Sequence, residues 1–189
     1  MTLKSLVRTV SAWGVLPVVA AFVLAGCSNK PVPPCPQVRV DSNTARYVKF
    51  QDVSKDLTQI DYAIELVGYE GQCNFGKNGV DLTMDLVFDV VAGPAAKGGK
   101  VPVNYFIAIP QFYPKPEGKR VMTLEASLPK AAGARTRLKD SGVHVFIPLD
   151  KDEPGAAYDV YVGLQINEAD AAYNESRRIQ QAAPATTRR

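Results

Sequence analysis

The run Val80-Asp81-Leu82-Thr83-Met84-Asp85-Leu86-Val87-Phe88-Asp89-Val90 has an apolar residue at every even position, while the odd positions carry three aspartates and a threonine. Side chains alternate across a β-strand, so this spelling buries one face and gives the other to water. No helix sorts these residues so cleanly, and the chain is therefore committed to sheet. The same period recurs. Ile60, Tyr62, Ile64 and Leu66 alternate with Asp61, Ala63, Glu65 and Val67, and Met122, Leu124, Ala126 and Leu128 alternate with Thr123, Glu125 and Ser127. Tyr158, Val160, Val162, Leu164 and Ile166 alternate with Asp159, Tyr161, Gly163 and Gln165. Further runs at 44–51, 101–109 and 143–149 predict seven strands, or eight with a short Val38–Val40 strand.

Turn chemistry separates these runs. Lys77-Asn78-Gly79 holds the Asn-Gly pair of a type I′ hairpin turn, and Gly98-Gly99 and Glu117-Gly118 are expected at the centres of the next two hairpins. The stretch Pro129–Gly142 reads as a longer crossing between sheets, with Arg135, Arg137 and Lys139 as a solvated basic loop. After Ile166, Asn167 to Asp170 are expected to cap a short C-terminal helix reaching residue 182, and residues 183–189 to be disordered. The expected fold is all-β, an antiparallel sandwich over 35–166.

The N-terminus carries a different message. Lys4 and Arg8 precede an almost unbroken apolar stretch from Ala12 to Ala25, the charged and apolar regions of an export signal. That stretch is shorter than the roughly 20 residues needed to span a bilayer, and Pro17 interrupts it. Leu24-Ala25-Gly26-Cys27 resembles the lipobox of bacterial lipoproteins. The resemblance implies a leader over 1–26, removed in the mature chain, and acylation of Cys27; two or three acyl chains anchor durably where one is marginal. Ser28 stands where inner-membrane retention uses aspartate, which points to the periplasmic face of the outer membrane. Residues 27–34 then form a proline-rich tether of about 3 Å per residue.

A second resemblance concerns the sandwich. Glu153-Pro154-Gly155-Ala156-Ala157-Tyr158-Asp159-Val160-Tyr161-Val162 resembles the corner and following strand of fibronectin type III and related immunoglobulin-like domains. There a Pro-Gly corner leads to a tyrosine that bonds back to the loop backbone, the role implied for Tyr158. The tryptophan usual in an early strand is missing, because the single Trp13 lies in the leader.

With Cys27 acylated, Cys35 and Cys73 are an even pair in an oxidising compartment and are expected to bond to each other. Their spacing suits neither a redox C-x-x-C pair nor zinc, which needs about four ligands in a chain with one histidine. Loss of Lys4 and Arg8 takes two positive charges from a net +3, and no basic footprint for nucleic acid is left.

No reaction chemistry is legible. His144 alternates with the core residues Val143, Val145 and Ile147, so it points outward, and no nucleophile motif accompanies it. Asp81, Asp85 and Asp89 stand four residues apart, too far along one strand to share a cation, and read as solubilising charges. Neither a metal nor a cofactor is expected. Candidate contact residues are Phe112 and Tyr113, set among Pro110, Pro114 and Pro116, and an exposed patch formed by Phe106, Phe146 and Tyr161. The expected function is a non-enzymatic envelope lipoprotein that docks a partner protein. The alternative is a sandwich that binds glycan, lipid or peptidoglycan fragments, which a concave pocket lined by Tyr105, Tyr113 or Tyr161 would favour.

Overall fold

A computed structural model of the chain describes residues 33–150 and 153–182. The 1–26 leader, Cys27, all but the last two residues of the 27–34 tether, and the 183–189 tail lie outside those residues.

Eight strands form: β1 (Gln37–Val40), β2 (Arg46–Phe50), β3 (Ile60–Phe75), β4 (Gly79–Ala92), β5 (Gly99–Ala108), β6 (Lys119–Leu128), β7 (Arg135–Pro148) and β8 (Asp159–Leu164), followed by the helix α1 (Glu168–Ala182). They make two four-stranded sheets, ordered β1-β8-β5-β6 and β2-β3-β4-β7, and pack as the expected sandwich. One pairing is not antiparallel: β1 lies parallel to β8. Val80, Leu82, Met84, Leu86, Phe88 and Val90 of β4 are all buried, facing Val103, Tyr105 and Ile107 of β5 and Val160, Val162 and Leu164 of β8. The alternation read from the sequence is thus the core itself.

The strands β4 and β5 are neighbours in sequence but belong to opposite sheets, as are β7 and β8; β4 then bonds to β7, and β5 to β8. Gly98-Gly99 consequently sits in a crossing between sheets and not in a hairpin turn. Hairpins do close at the other two expected places. Ile109 and Gly118 join the ends of the β5–β6 loop, Ile109 N donating to Gly118 O at 2.9 Å. A Cβ on Gly118 would lie 3.0 Å from backbone atoms of Phe112 and Tyr113, so a larger residue would open that loop. The β3–β4 turn is closed by Gly76 N donating to Gly79 O at 2.8 Å, with Phe75 opposite Val80. It is not type I′, because Asn78 does not adopt the positive φ that type requires.

Two strands are much longer than the sequence predicts, and for one reason. In β3 the register shifts between Leu66 and Gly68; in β7 it shifts where Met84 pairs Val143 and Leu86 pairs Asp140. A β-bulge adds a residue to one strand and flips the phase of everything beyond it. The inward residues of β7 are therefore Thr136, Leu138 and Asp140 before the bulge and Val143, Val145 and Ile147 after it. Arg135, Arg137 and Lys139 lie on a strand, not in a loop, and the crossing shrinks to residues 129–134.

Asn167 caps α1, its Oδ1 accepting from Asp170 N at 2.8 Å. The helix lies against the β2 edge. Tyr173 meets Phe50 edge-on with ring centroids 5.5 Å apart, and Asn174 Nδ2 donates to the carbonyls of Asn43 and Arg46.

Candidate functional site

The two cysteines expected to bond do so: Cys35 and Cys73 form a disulfide with Cα atoms 5.9 Å apart. Cys73 pairs Leu82, a core residue, so the bulge in β3 has turned it inward toward β1. The bond links the chain just before β1, at one sheet's edge, to the interior of the other sheet. Tyr69 adds a second stitch, its hydroxyl donating to Val38 O at 2.8 Å.

This end of the sandwich gathers the loops that the sequence singled out. A Cβ on Gly155 would lie 2.9 Å from the Phe75 ring and 3.5 Å from Pro34 O, which places the tether's last residues beside the β7–β8 corner. Tyr158, the corner tyrosine, is buried, but its hydroxyl meets both carboxylate oxygens of Glu153 at 3.1 Å. Among the described residues the partner of this hydroxyl is thus a side-chain acceptor. Burial first, and Glu153 second, raise the Tyr158 hydroxyl above its ordinary pKa. Phe112 stacks on Tyr158 with centroids 5.2 Å apart, and Gln111 Nε2 donates to Ala157 O at 3.2 Å. The expected contact pair is therefore divided: Phe112 is half-buried and anchors the loop, while Tyr113 is 83% exposed.

The outer face of the β2-β3-β4-β7 sheet is ordered by charge. Asp89 is not a solubilising group: it is the one buried charged residue in the described core, at 0% exposure. Arg137 Nε and Nη2 reach its two oxygens at 2.7 and 2.8 Å, and Arg135 Nη1 adds a bond at 2.6 Å. These guanidinium bonds, the Arg137 pair foremost, hold its carboxyl down at about 2 against the opposing effect of burial. Across the register, Asp89 is opposite Glu65, which pairs Arg46 of β2 at 3.3 Å. Asp85 accepts from Lys139 Nζ at 2.6 Å and from Gly142 N at 2.9 Å, and these bonds lower its pKa.

His144 Nε2 stands 2.7 Å from Asp81 Oδ1, with both side chains half-exposed. The sequence placed His144 outward correctly but missed this carboxylate, because only the β4–β7 register brings the two together. Among the described residues no group of three or more His, Cys, Asp or Glu side chains is arranged to hold a metal ion.

The aromatic patch expected from Phe106, Phe146 and Tyr161 does not form. Phe146 is on β7, in the other sheet from Phe106 and Tyr161, so the outer faces of two sheets separate them. Phe106 and Tyr161 remain neighbours: Ala108 is opposite Tyr161, and Phe106 is opposite both Gly163 and the exposed Val121. Lys119 Nζ lies 4.7 Å above the Phe106 ring. Nor do the three tyrosines line one pocket. Tyr105 is wholly buried, its hydroxyl bonded to Asp140, whereas Tyr113 stands on a loop tip and Tyr161 on the outer face of β8.

Comparisons with family models, with curated proteins and with solved structures find no match to this chain. The functional reading rests on its own residues.

Proposed function

We propose that this protein is an exported lipoprotein, held by acyl chains on Cys27 at the periplasmic face of an outer membrane. Its sandwich acts there as a non-enzymatic module that docks another envelope protein. The observation that carries the address is the Cys35–Cys73 bond, since paired cysteines with no redox or metal spacing belong to chains that fold in an oxidising compartment. Among the described residues no helix is long and apolar enough to cross a membrane.

The finer fold assignment belongs to the same proposal. The strand exchange between sheets, β4 to β7 and β5 to β8, suits an immunoglobulin-like sandwich. The docking role is supported by the outer face of the β1-β8-β5-β6 sheet, where the exposed Val121 lies beside the half-buried rings of Phe106 and Tyr161, with Lys119 over the Phe106 ring and Arg39 paired to Asp159. Aromatic residues with a polar, basic rim are what protein interfaces favour.

A photo-crosslinking residue placed at Val121 or Tyr161 in living cells tests the docking. A discrete crosslinked protein from these positions, absent when the probe sits at Glu70 on the other sheet, is the expected result. Probes that capture nothing at either position would remove the docking face. Cys27→Ser tests the address separately, and should move the protein from the membrane to the soluble fraction.

A further inference from the structure

The disulfide does more than staple the fold, because it fixes where an anchored chain must enter the sandwich. Cys35 is bonded to Cys73, and Pro34 lies beside Gly155 at the β7–β8 corner. Only residues 28–33 separate Pro34 from Cys27, so fully extended they span at most about 25 Å. In the anchored reading, the end of the sandwich that holds this corner is the one the tether keeps nearest the lipid.

At that end the β5–β6 loop is the projecting element. Phe112 packs on Tyr158, and Gln111 bonds to Ala157, so the loop is tied to the same corner as the tether. Its tip is Tyr113, 83% exposed and held between Pro110 and Pro114. Proline restricts the backbone in advance, so presenting this ring costs little further entropy. A ring with a hydroxyl at its end suits the headgroup zone, apolar on one side and wet on the other. Lys115, two residues on, is exposed and within reach of lipid phosphate. Glu117 lies in the same loop, so the ring and not net charge supplies the contact.

We infer that the β5–β6 loop is a lipid-contacting foot, with Tyr113 seated among the headgroups of the bilayer that carries the Cys27 lipid. The inference rests on the anchored reading proposed above, and it assigns Tyr113 to lipid and not to a protein partner.

Loss of the leader removes Trp13, the chain's single tryptophan, so Tyr113→Trp in the mature lipoprotein gives a lone tryptophan at the foot, excited apart from the tyrosines. Tyr113 is exposed, and the substitution leaves the core untouched. The acylated protein would be reconstituted into phosphatidylethanolamine–phosphatidylglycerol vesicles with brominated acyl chains, next to Val53→Trp, which is 99% exposed in the β2–β3 loop at the opposite end. The foot predicts that Tyr113→Trp floats with the vesicles, shifts its emission to the blue and loses most of it to bromine, while Val53→Trp floats unquenched. Equal, unquenched emission from both floating proteins would overturn the foot and spare the anchor. Failure of both to float would overturn the anchor, and the foot with it.

Discussion

Replacing Asp89 with asparagine keeps the side chain's volume and removes its charge, so it isolates what Arg135 and Arg137 gain from a carboxylate wholly hidden beneath them. The Asp89 carboxyl is held at about 2 instead of 3.8, which corresponds to about 2 kcal/mol of stability at neutral pH. The two arginine side chains are 52% and 64% exposed, so water screens their share and rehydrates them when the partner changes. We therefore expect Asp89→Asn to cost about 1–2 kcal/mol at neutral pH. The sign with pH is fixed. A folded pKa below the unfolded one stabilises fully above the unfolded value near 3.8, and this stabilisation disappears as pH falls through about 2. Urea denaturation of both proteins at about pH 7, 4 and 2.5 reads the gap directly. It should be almost unchanged at pH 4 and fall to about a third by pH 2.5, with unchanged slopes. Other carboxylates, Asp85 among them, also destabilise the parent in acid, but they do so equally in both proteins and cancel in the difference. A gap that stays constant across this range, or that is missing at neutral pH, would refute the ion-pair account.

Four further outcomes follow from the same geometry. Replacing Cys35 and Cys73 together with serine should cost up to about 4 kcal/mol, the chain-entropy value for a sequence separation of 38; an unfolding midpoint insensitive to reductant would contradict it. Tyr105→Phe removes the hydroxyl that bonds Asp140 across the sandwich, and thermal melts should show a loss of about 1–2 kcal/mol with the core ring still in place. Gly142→Ala at φ +71° should cost about 1–2 kcal/mol in backbone strain alone, whereas Gly68→Ala at the other bulge, with no positive φ, should be far milder; neither added Cβ meets an atom within 4 Å. Deleting Ser141 should leave a folded, regular β7, since it removes the extra residue while keeping Asp140 and Val143 inward, but deleting Leu138 should not, and far-ultraviolet circular dichroism with melting separates the two.

What could be read from the sequence was whatever a single alternation phase carries. β4, β5 and β8 have one phase throughout, and their core residues are those the period names. Half of β3 and half of β7 were lost because each strand changes phase at a bulge, and a phase change looks like an ending. The signal in β7 was present all the same. Thr136, Leu138 and Asp140 alternate with Arg135, Arg137 and Lys139 in the phase opposite to Val143, Val145 and Ile147, with Gly142 between them. Continuing the later phase backward would have put three cations in the core, which no sandwich tolerates unpaired. Reading that stretch as a loop also hid the partners of Asp85 and Asp89, so two paired carboxylates passed for solubilising ones. The β1–β8 pairing and the division between Phe112 and Tyr113 had no local signal. Both are set by contacts distant in sequence.

The β3 bulge links these local facts to the end of the sandwich that holds Cys35. Tyr62, Ile64 and Leu66 face inward at even positions, and an unbroken strand would keep that phase, turning Cys73 outward, away from β1. The extra residue at Val67 reverses it, so that Tyr69, Cys73 and Phe75 face the interior. Cys73 can then bond Cys35, Tyr69 can hold the Val38 carbonyl, and Phe75 can pack against the Gly155 corner where Pro34 arrives. One inserted residue in the middle of a strand thus decides which face the last residues of β3 present, and with it whether Cys73 can hold the chain at Cys35.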